Sequence, residues 1–158
     1  MDEKRLDVLA TGYRVERTNP SEISSILSLL NDVDLPVEGV KEHISNFLTL
    51  KGNDNESNFE PLGCAGLEVY GNSALLRSMA IAPEYQGRGL GTVLTEAIIK
   101  DAREKGIKTL FLLTETAEVF FRRFGFRVVE RGIVPRDVKT SIEFTKLCTE
   151  TPAMMLEI

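Results

Sequence analysis

The sequence contains little of what metal-dependent or histidine-dependent chemistry requires. It has no tryptophan, a single histidine, His43, and only two cysteines, Cys64 and Cys148, which are far apart and outside any metal-ligand spacing. A zinc site or a Ser-His-Asp triad would have to be built around His43 alone. We therefore predict no metal site, and we interpret the two cysteines as free, buried thiols in a reducing cytoplasm.

Long apolar runs and clusters of basic residues are also missing. No stretch approaches the roughly 20 apolar residues of a membrane-spanning helix, and residues 1–5 lead into no apolar core, so we expect neither a membrane anchor nor a signal peptide. The net charge is −5 without a Lys/Arg run, which disfavours nucleic acid as a partner. With 42% hydrophobic and 27% charged residues, the 158-residue chain is predicted to be a single domain over residues 1–158.

The most informative stretch is 80–91, in which glycines occupy positions 87, 89 and 91 around Arg88. An apolar strand leads into this stretch, and an amphipathic helix follows it. Glycine accepts positive φ angles and has no Cβ to obstruct a ligand, while a helix N-terminus offers unpaired amides and a positive dipole end. The combination predicts a phosphate-binding site. A tight strand-to-helix turn without a ligand is the alternative.

The spacing of the glycines distinguishes between known phosphate loops. A dinucleotide fold requires G-x-G-x-x-G, and both candidate third positions fail because they hold Thr92 and Leu94. A P-loop ending in Gly-Lys-Ser/Thr is absent as well. The pattern that is present, Gln-x-x-Gly-x-Gly at Gln86, Gly89 and Gly91, resembles the coenzyme A loop of the GCN5-related N-acetyltransferases, the GNAT family.

The order of predicted elements supports this resemblance. The spacing of apolar residues and the positions of turn residues predict strands at 13–17, 46–50, 62–70, 73–81, 109–114, 126–130 and 153–157. They predict helices at 20–31, 40–45, 91–105, 117–124 and 135–147, and a polar loop at 51–58. The short helix ending in Phe121-x-x-x-Gly125-Phe126 is similar to a second fingerprint of the family. The resemblance implies an α/β fold with a mixed, mostly antiparallel central sheet and helices on both faces.

A narrower resemblance concerns the acceptor. Residues 112–121, the segment 143–148 and the late Met154 are similar to amino-acid N-acetyltransferases of the N-acetylglutamate synthase and arsenic-resistance type. This implies transfer of acetyl from acetyl-CoA to the primary amine of a small molecule, an amino acid or an amino-acid-like compound, by direct attack in a ternary complex. A non-catalytic acyl-CoA sensor is the alternative. Dimers are common in this fold, so a homodimer is the candidate assembly.

The resemblance also implies a set of coenzyme contacts. The main chain of Met79, Ala80 and Ile81 would pair with the pantetheine arm, as an added strand does. The amides of the glycine loop would hold the diphosphate, and the side chain of Arg88 would contact a phosphate. The complete set is Met79, Ala80, Ile81, Gln86, Gly87, Arg88, Gly89, Leu90, Gly91, Thr92, Thr114 and Phe121.

The acceptor residues follow from the predicted hairpin over 62–81. If Gly71-Asn72 is a two-residue turn, Glu68, Tyr70 and Arg77 share one face of the two strands. We hypothesise that Arg77 binds a substrate carboxylate with Tyr70 beside it. His43 would lie on a helical lid over the acceptor, either as a residue of the pocket or as a surface residue.

Two positions depart from the family pattern. Phe121 stands where many members have a tyrosine that protonates the leaving thiolate, and Leu75 stands where protein acetyltransferases have a catalytic glutamate. Glu68, opposite Leu75, is therefore our candidate general base, and Glu115 competes with it. Surface ion pairs are the alternative role for these carboxylates and for Arg77, and catalysis by proximity alone is a further alternative.

Overall fold

The computed structural model describes residues 5–7, 12–53 and 60–158, the first of these ranges by its backbone alone. Its strands are β1 (Arg5–Asp7), β2 (Tyr13–Arg17), β3 (Phe47–Gly52), β4 (Gly63–Tyr70), β5 (Ser73–Ile81), β6 (Thr109–Leu113), β7 (Arg127–Val129) and β8 (Ala153–Glu157). Its α-helices are α1 (Ile23–Asp32), α2 (Val40–His43), α3 (Leu90–Glu104) and α4 (Glu118–Arg122). Short 3-10 turns occupy Pro20–Glu22, Ile44–Asn46, Pro83–Tyr85, Arg131–Ile133 and Val138–Thr140.

The strands form one mixed sheet in the order β1-β2-β3-β4-β5-β6-β8-β7. β5 and β6 pair in parallel, whereas β2 with β3, β3 with β4, and β8 with both β6 and β7 pair antiparallel. The predicted α/β class with a mostly antiparallel sheet is therefore confirmed. Contacts divide the chain into two compact units, Met1–Leu67 with Ser78–Asp101 and Glu68–Arg77 with Ala102–Ile158, and the single domain stays a prediction.

The first unit carries helices on both faces of its strands. Asn19 caps the chain ahead of α1: its side chain accepts a hydrogen bond from the Ser21 amide, while Glu22 accepts one from the Asn19 amide. α1 buries Ile26 and Leu30 in a cluster that includes Cys64. A Cβ on the neighbouring Gly63 would instead lie 3.0 Å from Leu94 of α3. Because successive residues of a strand face opposite ways, α1 and α3 cover opposite faces.

Phe47 and Gly66 form a close contact between β3 and β4. The two residues are paired across the strands, and a Cβ on Gly66 would collide with the Phe47 ring. The ring is fully buried. Gly66 therefore provides the space in which the ring packs against the backbone of β4.

The second unit has a core of its own, formed by its strands and the segment between β7 and β8. Leu75, Phe111 and Met155 from the strands pack with Val138 and Phe144 from that segment. The single helix predicted over 135–147 is wrong. The segment forms a 3-10 turn at Val138–Thr140 and a π-helical turn at Glu143–Leu147.

Ser141 is the residue that interrupts the predicted last helix. Its backbone is extended, with φ −52° and ψ 141°, and its hydroxyl accepts a hydrogen bond from the Glu143 amide at 3.2 Å. A side chain that satisfies a backbone amide in this way competes with a continuous helix. The chain therefore restarts after Ser141 instead of continuing from the preceding turn.

Most other boundaries agree with the sequence to within one or two residues. β2, β5 and β8 span the predicted ranges, whereas β1 was not predicted. Lys51 and Gly52 belong to β3 and not to the predicted polar loop, because they pair with β2 and the Lys51 ammonium bridges Glu16 and Glu22 at 3.2 and 2.7 Å. Residues 54–58 of that loop lie outside the described residues. In the part of the chain that is described, no helix is long and apolar enough to cross a membrane.

Candidate functional site

The glycine loop lies between β5 and α3 in the first unit. Gly87 and Gly89 have φ angles of +80° and +79°, as the sequence predicts for this loop. Nothing lies within 4 Å of the position that a Cβ would take on either residue. Gly91 is inside α3, a 15-residue helix that begins at Leu90. The first amides of that helix have no carbonyl of an earlier helical turn to pair with, so the loop presents donors to an open space.

Side chains from outside the glycine pattern hold this loop. Gln86 Nε2 donates to the Ile81 carbonyl at 2.9 Å. The guanidinium of Arg88 donates to the Tyr13 hydroxyl at 3.1 Å and to the Glu84 carbonyl at 3.3 Å, and it lies 4.8 Å from the centre of the Tyr85 ring. Sequence reasoning missed both tyrosines, because nothing in the local pattern links Tyr13 to a loop 75 residues away.

The end of β5 departs from a regular strand. Ser78 has a φ of +57°, which is uncommon for a residue other than glycine. The Ala82 amide donates to the Leu62 carbonyl. A two-residue turn at 71–72 would instead place residue 81 opposite residue 62. We interpret Ser78 as the extra residue that shifts the register by one, as in a β-bulge. Ala80 is buried, while Met79 and Ile81 are half-buried. Their pairing with pantetheine stays a prediction.

The other predicted coenzyme contacts have local roles. Thr114 Oγ1 accepts a hydrogen bond from the Ala117 amide at 2.9 Å, just before α4. Phe121 is 7% exposed, and its ring centre lies 5.1 Å from that of Phe120 and 5.6 Å from that of Phe126. Leu90 is buried and Thr92 half-buried at the start of α3.

Glu68, Tyr70 and Arg77 lie together in the second unit, as the hairpin register predicts. Arg77 Nη1 donates to Glu68 Oε2 at 2.7 Å, and the Tyr70 hydroxyl donates to Glu68 Oε1 at 2.5 Å. Glu143, which sequence reasoning missed, is a fourth member: its Oε1 lies 3.5 Å from Arg77 Nε. The side chain of Arg77 is 0% exposed, and those of Glu68 and Glu143 are 1% and 9% exposed.

This polar cluster contains two carboxylates around one guanidinium. Burial raises the pKa of Glu143; the charge of Arg77 opposes this shift, and the charge of Glu68 adds to it. Burial and the hydrogen bond to Glu68 raise the pKa of Tyr70 well above its usual range, so its hydroxyl stays protonated at neutral pH. A substrate carboxylate that binds Arg77 would have to displace one of the carboxylates that lie beside it.

The remaining candidates are in less enclosed places. Glu115 is exposed, and its Oε1 accepts from the Thr151 hydroxyl at 3.5 Å. His43 ends α2 and is half-buried.

A cavity of about 610 Å³ opens beside α1 in the first unit, with Ser28, Asp32 and Tyr85 among its walls. Among the described residues, no group of three or more His, Cys, Asp or Glu could hold a metal ion.

Comparison with known proteins relates the segment that contains the glycine loop to a family. Residues 53–128, which contain the loop, match the acetyltransferase (GNAT) domain. These residues carry a GNAT domain. The match is to an acetyltransferase domain, which indicates N-acetyltransferase chemistry with acetyl-CoA as the acetyl donor.

Proteins of similar sequence indicate which members of the family this chain resembles. A protein of Chlorobaculum tepidum, called an uncharacterized N-acetyltransferase, is 29% identical over 75% of this chain and 70% of its own length. An amino-acid acetyltransferase of Mannheimia succiniciproducens is 32% identical over 54% of this chain, but the match covers only 20% of that protein. The predicted closeness of this GNAT chain to amino-acid N-acetyltransferases is confirmed.

A solved structure shows the same fold. N-acetylglutamate synthase of Neisseria gonorrhoeae, crystallised with coenzyme A and N-acetyl-glutamate, superposes with a TM-score of 0.78 at 20% identity. The superposition covers 94% of this chain and 35% of that one. The GNAT chain therefore spans about a third of the length of this synthase.

Proposed function

We propose that this GNAT chain acetylates the primary amine of an amino acid or an amino-acid-like compound by direct attack in a ternary complex with acetyl-CoA. The observation that carries the proposal is the open glycine loop at the start of α3, with Gly87 and Gly89 in the left-handed region. Relatives named amino-acid acetyltransferases support the choice of acceptor.

The coenzyme half of the reaction rests on the main chain. Amides from Gln86 to Gly91 bind the diphosphate, where the positive end of the α3 dipole adds to their attraction. The main chain from Met79 to Ile81 binds the pantetheine arm as an added strand does. Holding the thioester beside the amine accelerates the reaction, because the two reacting groups are already oriented toward each other.

The amine must lose a proton before it attacks the thioester. The coenzyme A thiolate must leave either as the anion or after it accepts a proton. Phe121 has no proton to give, and it packs among other aromatic rings. Glu68 already accepts hydrogen bonds on both oxygens, which favours Glu115 as the base. In this proposal Arg77, Tyr70 and His43 contribute to acceptor recognition.

The test is a thiol-release assay with acetyl-CoA and a panel of the twenty amino acids and related amines, with products identified by mass spectrometry. Acceptor-dependent release of coenzyme A with an N-acetylated product supports the proposal. Binding of acetyl-CoA by calorimetry without release for any amine would favour the acyl-CoA sensor. Glu115→Gln should lower kcat near neutral pH with partial recovery at high pH, and Glu118→Gln on the adjoining helix is its matched control.

A further inference from the structure

Arg88 stands between the two glycines with positive φ, yet its own side chain is anchored at three points. One nitrogen of the guanidinium donates to the Tyr13 hydroxyl at the start of β2, and another donates to the Glu84 carbonyl. The planar group lies over the Tyr85 ring at 4.8 Å. Tyr13 and Tyr85 themselves meet edge to face, with ring centres 6.5 Å apart. All of these residues belong to the first unit.

The loop needs such an anchor because its glycines supply no packing. Gly87 and Gly89 have no neighbour within 4 Å of a Cβ position, and glycine has more conformational freedom to lose than any other residue. A loop that must be ordered when the ligand arrives binds more weakly, because ordering has an entropic cost. Side chains on either side of the glycines are the available restraints, and Gln86 supplies one of them through the Ile81 carbonyl.

We propose that Arg88 is a positioning residue and that Tyr13 is its key partner. The guanidinium, held by Tyr13, Tyr85 and the Glu84 carbonyl, fixes the glycine loop in its binding conformation before the coenzyme arrives. This inference rests on the proposed function, in which the loop binds the diphosphate of acetyl-CoA. It gives Arg88 a different task from the direct phosphate contact expected from the sequence.

The two tasks can be separated because Tyr13 carries no charge. A guanidinium has five N–H donors, and the contacts above account for two of them, so geometry alone leaves room for a phosphate. A direct phosphate ligand acts through its positive charge, which Lys also provides. A positioning residue acts through the planar group that stacks on Tyr85 and reaches Tyr13, which Lys cannot reproduce.

The first experiment uses the full chain without ligand. Hydrogen exchange is compared between wild type and Tyr13→Phe, which removes the hydroxyl and keeps the ring. The amides followed are those of Tyr85, Gln86 and Val93, which flank the glycines and donate to the carbonyls of Ala82, Pro83 and Gly89. Loss of one hydrogen bond that orders the loop should speed this exchange about fivefold. Exchange in α3 beyond Leu94 serves as the internal control. Unchanged exchange in the loop would overturn the anchor, whether or not the protein binds coenzyme.

The second experiment measures the Kd of coenzyme A by calorimetry for Tyr13→Phe, Arg88→Lys and Arg88→Ala. Positioning predicts that all three weaken binding to a similar extent, about fivefold. Lys100→Ala removes an exposed cation from α3, the helix that follows the loop, and should leave Kd unchanged. Wild-type Kd in Tyr13→Phe and Arg88→Lys, with weakening only in Arg88→Ala, would show a direct phosphate ligand and overturn the inference. Absence of binding in wild type would instead overturn the proposed function.

Discussion

The guanidinium of Arg77 lies 2.7 Å from the carboxylate of Glu68, in a place where both side chains are almost completely shielded from water. A second carboxylate, that of Glu143, lies 3.5 Å from the same guanidinium. A buried charge destabilises a protein unless a nearby group of opposite charge compensates it. Here one cation is shared between two anions, so the two glutamates should respond differently to neutralisation.

Neutralising the closer carboxylate should destabilise the protein. Glu68→Gln removes the short ion pair to Arg77 and the charged acceptor of the Tyr70 hydroxyl. We expect a loss on the order of 3 kcal/mol in the free energy of unfolding, because one charge of a buried pair is left poorly matched. Urea unfolding at neutral pH measures this loss, and equal losses in Glu68→Gln and Glu143→Gln would contradict the assignment of Glu143 as the excess charge.

Neutralising Glu143 should have the opposite sign at neutral pH. Its pKa is raised above the ordinary value of 4.5 in the folded protein, so the folded state binds this proton more tightly than the unfolded state. That contribution to stability is fully present below the ordinary pKa and is lost as the pH rises through the raised value. Glu143→Gln should therefore be at least as stable as wild type at pH 7, and the difference should vanish at acidic pH. A wild-type advantage at pH 7 in melting experiments would refute this account.

Arg77 can be tested as an acceptor residue without removing its charge. Arg77→Lys keeps one positive charge beside Glu68 and Glu143 but loses the planar fork that pairs with carboxylates. If Arg77 recognises a substrate carboxylate, KM for an acidic amino acid should rise several-fold more than kcat falls. Steady-state kinetics with an acidic and a neutral acceptor provide the comparison. An equal change for both acceptors would restrict Arg77 to a structural role.

Gly89 and Gly71 make a matched pair for testing the loop. Both have positive φ, +79° and +63°, and apart from the adjacent residues of the chain nothing lies within 4 Å of a Cβ position on either. Alanine at either site should therefore cost about 1 kcal/mol of stability through backbone strain alone. Only Gly89→Ala should also weaken coenzyme A binding, because Gly71 lies in the hairpin turn between β4 and β5. Calorimetry on both variants makes the comparison, and equal affinities would place the diphosphate elsewhere.

The thiols should differ in reactivity. Burial raises the pKa of Cys64 to about 12, so its nucleophilic thiolate is scarce at pH 8. Burial also raises the pKa of Cys148, but this thiol is only half-buried, so a reagent can reach it. A thiol reagent should therefore modify Cys148 at a measurable rate and leave Cys64 untouched until the protein unfolds. Cys148→Ser is the control, and rapid labelling of that variant in its native state would contradict the buried position of Cys64.

The sequence predicted those features that depend on local pattern. Alternation and the Gly71-Asn72 turn placed Glu68, Tyr70 and Arg77 on one face, because the period of a strand is two and the turn length sets the register. The glycine spacing predicted the backbone of the loop at Gly87 and Gly89. These predictions needed no knowledge of distant contacts.

Features that depend on distant partners were missed. Glu143 reaches Arg77 from a segment whose helical pattern is interrupted by the Ser141 side chain, and Tyr13 meets Arg88 across 75 positions of the chain. The sequence shows a polar face at 68–77 but not that a second carboxylate closes over it, so a substrate-binding face and a buried ion pair look alike at that level.

The contact between Phe47 and Gly66 restricts how the chain can vary. A methyl group at position 66 would occupy the volume of the ring, so position 66 can gain a side chain only if the side chain at position 47 becomes smaller. A family member with alanine or a larger residue opposite position 47 should carry a small aliphatic side chain in place of the phenyl group. If a change at either site alone disrupts folding and the paired change does not, the two positions are coupled and should vary together within the fold.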